Sequence, residues 1–283
     1  MKSILLFFLL IPFYAISQSF QPKTPDEVVE QIKKHVTCDW LDETVDVYKA
    51  GDPQTPLKGI ATCMFADMPT LEKAVELGCN FIITHEPIFY SHQDGTENLQ
   101  DDPVFRQKMD FIKKNGLVIF RFHDHIHMTQ PDGIYAGMIE QLGLESYSVD
   151  GSLTNYKLPK QSVKQYSETL KKQLGLTTVR VIGNPNMEFT KMMLAVGAPG
   201  GQRHIQMLGS NDVEVLVAGE ANEWETYSYA NDASYQGKKK AVIFVGHVKS
   251  EEAGMKYCAK WLQGFISGVP IHFIANGPNF STL

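Results

Sequence analysis

Leu77-Gly78-Cys79-Asn80-Phe81-Ile82-Ile83-Thr84-His85-Glu86-Pro87 is the stretch on which the reading of this chain turns. Leu77-Gly78 closes a segment that begins at Pro69, a helix with proline in its first turn and glycine at its C-terminal cap. Phe81 to Thr84 is a short run of aromatic and β-branched residues, the mark of a buried strand. His85 and Glu86 stand directly at its end, and Pro87 restricts Glu86 to extended backbone. Adjacent residues on extended chain point different ways, so the pair can serve two ions, one each.

The same order recurs further along. His123, His125 and His127 follow the run Leu117 to Phe122, and His247, with Glu251 four residues on, follows Ala241 to Gly246. Strand ends in an α/β sheet face a common crevice, so groups far apart in sequence can meet there. Imidazole and carboxylate together are the ligands of zinc, manganese or iron. Plainer readings exist for each part. A histidine at a strand end can be a hydrogen-bonded core residue, and His123 to His127 can be an exposed polar loop. Glu251 suits the first turn of a helix capped by Ser250, where the helix dipole favours negative charge. That last reading leaves the histidine of the preceding Gly246-His247 turn unexplained.

Apolar periodicity predicts helices at Asp26–Val36, Pro69–Leu77, Val104–Lys114, Pro131–Leu142 and Ser162–Leu174. Strands are predicted at Gly59–Cys63, Phe81–Thr84, Leu117–Phe122, Thr178–Ile182, Met192–Val196, Val213–Ala218, Ala241–Val245 and Ile271–Ile274. Alternating strands and helices imply an α/β fold with mixed sheets flanked by helices. A loose internal repeat is also visible. Leu77-Gly78-Cys79-Asn80 leads into the strand before His85-Glu86, and Leu208-Gly209-Ser210-Asn211 leads into the strand before Gly219-Glu220. We therefore expect two related α/β lobes: residues 18–130 plus 239–283, carrying the metal ligands, and residues 131–238.

Residues 1–17 read as a signal peptide, with basic Met1-Lys2, an apolar Ile4 to Ile16 and a small-x-small Ala15-Ile16-Ser17 before a cut at Gln18. The apolar run is shorter than the roughly 20 residues a spanning helix needs. An exported protein, periplasmic or secreted, with no stable membrane association after cleavage is the expectation. The net charge of −6, with Lys238-Lys239-Lys240 the one basic run, argues against a nucleic-acid partner. Cys38, Cys63, Cys79 and Cys258 match no zinc-finger spacing and read as small buried side chains, with one disulfide as the alternative. Gly197-Ala198-Pro199-Gly200-Gly201 reads either as a sharp strand-to-helix turn or as an anion-binding loop.

The segments LKGIAT, ELGCNFIITHEPIF, RFHDHIHMTQPDGIYAGMIEQLGL, VEVLVAGE and VGHVKSEEAGMKYCAKWL, spread from about Val28 to Phe273, resemble the Nif-three-like family. These proteins are described as dinuclear-metal-centre hexamers and are often labelled GTP cyclohydrolase type 2 homologues. The family motifs run Ile-Thr-His-His-Pro, then His-Thr-x-x-Asp, then Gly-His-x-x-x-Glu, and their order and spacing agree here. By that resemblance the metal ligands fall on His85, Glu86, His127, His247 and Glu251. Two of these ligands depart from the pattern: the family's second histidine is Glu86 here, and its aspartate is His127. The swap keeps three histidines and two carboxylates, so the ligand charge is unchanged. His123 matches a non-ligand histidine, a candidate for catalytic proton transfer or for orienting a ligand. The family's aspartate after its first strand falls on Phe65.

The resemblance implies two divalent transition-metal ions (zinc, manganese or iron) and a homohexamer. The expected function is metal-dependent hydrolysis of a phosphoester or nucleotide-like small molecule. The alternative is a non-catalytic hexameric metal-binding or scaffold protein. Cyclohydrolase chemistry on GTP is disfavoured by the expected exported location.

Overall fold

A computed structural model describes residues 19–277, so the expected signal segment lies outside the described residues. The helices are α1 (Pro25–His35), α2 (Met68–Glu76), α3 (Pro103–Lys114), α4 (Asp124–Met128), α5 (Gly133–Leu142), α6 (Val163–Leu174), α7 (Gly201–Gly209), α8 (Ser228–Tyr235) and α9 (His247–Gln263). The strands are β1 (Tyr48–Ala50), β2 (Ile60–Cys63), β3 (Phe81–Thr84), β4 (Val118–Arg121), β5 (Asn155–Ser162), β6 (Arg180–Ile182), β7 (Glu188–Ala195), β8 (Val215–Ala218), β9 (Ala241–Phe244) and β10 (Ile271–Phe273). They form two five-stranded mixed sheets, ordered β1-β4-β3-β2-β10 and β5-β7-β8-β9-β6. In the first only β1 is antiparallel to its neighbour; in the second both edge strands are.

Period-two alternation explains how helices cover both faces of each sheet. Phe81 and Ile83 face a core shared with α1, α5 and α9, while Ile82 faces one shared with α2 and α3. In the second sheet Val215, Val217, Ala241 and Ile243 face the first of these cores, while Leu216 and Val242 face α7 and α8. One helical layer of α1, α5, α6 and α9 therefore serves both sheets.

The internal repeat has a structural counterpart. β2, β3 and β4 run parallel as neighbours, as do β7, β8 and β9, and each third strand is followed by a helix of the shared layer, α9 directly after β9 and α5 after the short α4. Those helices, α5 and α9, cross with backbones in contact. A Cβ on Gly137 would lie 2.3 Å from the carbonyl oxygen of Ala253, and one on Gly254 would lie 2.5 Å from Ile134 Cα. Gly137→Ala is expected to lower stability by about 3 kcal/mol, because backbone atoms cannot yield to the new methyl. A urea unfolding midpoint measures it.

Several expectations need correction. The segment 239–283 does not belong to one lobe: β9 is paired with β8 and β6 in the second sheet, α9 lies in the shared layer, and β10 returns to β2 in the first. β1, β5, α4 and α8 were not predicted. β5 contains Pro159, which sits where the β5–β7 register shifts, a place for proline on an edge strand. The helix expected from Pro131 starts at Gly133, because Asp132 caps it by accepting from Ile134 and Tyr135 N–H. Ser250 is not a cap: α9 begins at His247 after Gly246, whose φ of +87° suits glycine. Glu251 therefore sits beyond the first turn. The four cysteines are unbridged, with Cys63, Cys79 and Cys258 buried.

Candidate metal centre

The C-terminal ends of β3, β4, β8 and β9 converge, and each delivers a polar residue one to three positions past the strand: His85 and Glu86, His123, Glu220, and His247. Glu251 lies one turn along α9 from His247 and is the hub of the cluster. Its Oε2 is 3.0 Å from His247 Nε2 and 3.6 Å from His85 Nε2, and its Oε1 is 3.9 Å from His127 Nε2. His247 Nε2 is also 3.0 Å from Glu86 Oε1. Two groups of donors lie close enough to hold an ion: His85, His123 and His127, and His85, Glu86 and Glu251.

The tautomers are fixed from outside the cluster. His85 Nδ1–H donates to Phe122 O at 3.2 Å, His123 Nδ1–H to Asp124 Oδ1 at 2.9 Å, and His127 Nδ1–H to Asp132 Oδ2 at 3.0 Å. His247 Nδ1 lies 3.7 Å from Glu220 Oε2. An acceptor on Nδ1 leaves the Nε2 lone pair facing inward, the arrangement that metal-binding histidines require. Asp132 thus has two roles, capping α5 with one oxygen and orienting His127 with the other.

His85 tests whether a cation fits. Its Nε2 is buried without a hydrogen-bond partner, and its lone pair faces the Glu251 carboxylate. Two electron-rich groups turned toward each other in the interior need positive charge between them. A proton on His85 does not supply it, since burial and the neighbouring His127 and His123 hold this imidazole well below its usual pKa. A bound metal ion would, and the donor chemistry of imidazole and carboxylate suits zinc, manganese or iron.

The carboxylates are held as firmly. Glu86 loses solvation on burial, yet the His247 contacts and Arg121 hold it below the usual carboxylate range. Arg121 is fully buried; its Nε donates to His85 O, Nη1 to His92 O, and Nη2 lies 3.3 Å from Glu86 Oε2. Burial would lower the pKa of His247, but Glu220, Glu251 and Glu86 together raise it to about 12. Three carboxylates converging on one imidazole thus show how strongly this pocket favours a cation.

His125 differs from its neighbours. Its Nδ1–H donates to Asp46 Oδ2 at 2.6 Å, its Nε2 accepts from Leu41 N–H at 2.9 Å, and Trp40 stacks on its ring at 3.7 Å. Both nitrogens are committed, so it has none to offer an ion. His123 lies inside the cluster, its ring 4.7 Å from that of His85. Phe65 meets the His247 ring edge-on at 6.2 Å.

The glycines after β7 serve close packing. Gly197 has φ +66°, and a Cβ there would lie 2.2 Å from Glu251 Oε1; Gly201 packs in the same way on the Glu225 side chain. The glycine-rich loop thus seats the protein's own carboxylates. Gly197→Ala is expected to displace Glu251 and weaken metal retention at least about tenfold, a loss of roughly 1.4 kcal/mol. Competition with a chromogenic chelator measures it.

A GTP cyclohydrolase 1 type 2 homolog of Clostridium acetobutylicum is 22% identical over 235 residues, covering 78% of this chain and 82% of the relative. A homolog of the same description from Vibrio cholerae is 23% identical over 219 residues, covering 73% and 80%. Among solved structures, a Bacillus cereus protein related to NIF3 superposes with a TM-score of 0.74 at 15% identity, covering 94% of this chain and all (100%) of that one. At such identity the likeness shows the fold. The family model described as Duf34/NIF3 (NGG1p interacting factor 3) matches residues 25–279, and the chain belongs to that family.

Proposed function

We propose that this protein is a metal-dependent hydrolase with a two-metal centre, acting on phosphoester or nucleotide-like small molecules. The observation that carries this reading is that the convergent donors lie between two open cavities. One, of about 480 Å3, is lined by Arg180, Glu220, His247 and Lys249 among others; the second, of about 370 Å3, by Phe65, Glu86, Tyr90, Lys108 and His247. His247 borders both, so a ligand in either reaches the cluster. A storage site has no use for such access, whereas a catalytic site depends on it.

In this reading His85, Glu86, His127, His247 and Glu251 would hold the two ions. Bound ions of this kind lower the pKa of water and neutralise charge on the reacting oxygens. His247 and Arg121 keep Glu86 ionised, and Arg121 fixes its direction. Arg180 and Lys249 place positive charge along the larger cavity. His123 is the proton carrier: its Nδ1 proton is anchored on Asp124, which stays ionised with a pKa of about 2 because the His123 and Thr44 hydrogen bonds outweigh its burial. Export and homohexameric assembly belong to the same proposal, supported by the apolar Ile4–Ile16 segment and by the family resemblance.

The test is metal content per subunit by elemental mass spectrometry, beside His247→Ala/Glu251→Ala. About two transition-metal ions per subunit, lost in the double variant, is the expected result. A phosphoesterase screen then follows, in which His123→Ala keeps its metal and loses turnover by about 100-fold or more. No metal on purification or reloading overturns the proposal; metal without turnover on any phosphoester leaves the non-catalytic reading.

A further inference from the structure

Among the described residues, Lys108 on α3 is a buried cation with no carboxylate in ion-pair contact. The residue is 3% exposed, and its Nζ donates to Ile88 O at 2.7 Å and lies over the rings of Phe89 and Tyr90 at 5.8 and 5.4 Å. The acids around it are committed elsewhere. Glu86 is held by Arg121, and Asp94 by Lys49 at 3.3 Å, with Arg121 at 3.9 Å. Asp67 borders the same cavity, but its oxygens accept from Thr70 N–H and Asn276 Nδ2–H. Burial pushes the Lys108 ammonium down to about 8, against the pull of Asp67 and Asp94. A cation held this way is normally matched by an opposite charge. The cavity beside it is lined by Phe65, Tyr90, Glu86 and His247.

We propose that Lys108 is the receptor for a phosphoryl group entering this cavity, with the body of the ligand against Phe65 and Tyr90 and its other end at His247. The ammonium has donors to spare beyond the one on Ile88 O, and a compact point charge suits a phosphoryl oxygen. This assignment takes its ligand class from the hydrolase proposal, but the Lys108 contact needs no metal. It places the phosphoryl group on the Phe65 side of His247, away from Arg180.

The test uses the full chain, as purified and after chelation, and follows thermal unfolding with inorganic phosphate or acetate. Phosphate is expected to raise Tm in both preparations, acetate less so. Lys108→Met should bind phosphate at least about tenfold more weakly. Without phosphate it should melt at or above the wild-type temperature, since an unmatched buried charge has been removed. An equal phosphate response in the variant, or none in the wild type, overturns the proposal. Should the variant not fold, the lysine ammonium NMR spectrum of the wild type decides: phosphate must move the resonance of a buried lysine, and no movement sinks the assignment. A phosphate response through Lys108 in a chain that binds no metal would keep this site and end the hydrolase proposal. Metal binding with no such response would do the reverse.

Discussion

Asp46→Ala should be among the most damaging single changes in this protein, lowering the free energy of unfolding by about 4 kcal/mol or more. The side chain is buried, and its two oxygens collect four N–H donors. Oδ1 accepts from the amides of His123 and Asp124, and Oδ2 from the amide and the Nδ1 of His125. Alanine leaves all four donors without an acceptor at the start of α4, the turn that carries His123 and His127. Asn should rescue little. Its oxygen can serve one pair of donors, but its NH2 group then faces the other pair, donor against donor. Urea unfolding gives the stability loss, and metal content should fall in parallel. An Asp46→Asn variant of wild-type stability would show that the turn does not depend on this carboxylate.

Arg121→Met is expected to cost about 3–5 kcal/mol, the range for removing one partner of a buried ion pair. The guanidinium ties three things together: the carbonyl of His85, the carbonyl of His92 and the carboxylate of Glu86. Methionine fills much of the volume but leaves Glu86, buried beside the cluster, with His247 as its one remaining cationic partner among the described residues. The Glu86 pKa should rise and its hold on an ion should weaken. Lys is not a substitute, because one ammonium cannot reach three acceptors spread across a planar fork. Calorimetric unfolding with and without added metal separates the two effects. A variant that unfolds like the wild type but binds metal less well would confine Arg121 to positioning Glu86.

Much of this arrangement could be read from residue order, for a local reason. His85, Glu86, His123 and His247 each follow an apolar run, and such runs set both the strand and the residue just past its end. Groups that act through side chains of distant elements were not legible. Asp46 precedes a three-residue edge strand with no periodicity to mark it. Asp132 looked like an ordinary helix start, and nothing local separates His125 from its neighbours until Asp46 and Leu41 claim both its nitrogens. Two signals did exist. Arg121 is a charge inside the otherwise apolar run Leu117 to Phe122, and a buried strand tolerates one only when acceptors await it. Glu220 occupies in the internal repeat the place that Glu86 occupies after β3, which would have nominated it. The lobe boundary failed because α9 lies between the sheets, and sequence order does not reveal which sheet a strand joins on either side of a shared layer.

The placing of β10 bears on how the chain comes to be folded. It is last among the described elements, yet it pairs with β2, more than 200 residues earlier by the register Ile271 to Ile60. Until it arrives, β2 is the rim of a sheet with its ladder groups unsatisfied on one side. A chain emerging from a ribosome or a translocation channel therefore carries an adhesive edge through almost the whole of its synthesis. Closure across so long a loop is slow relative to local helix formation. Chaperone dependence and aggregation in this protein should therefore track how soon β10 is delivered, and only weakly how stable the finished fold is.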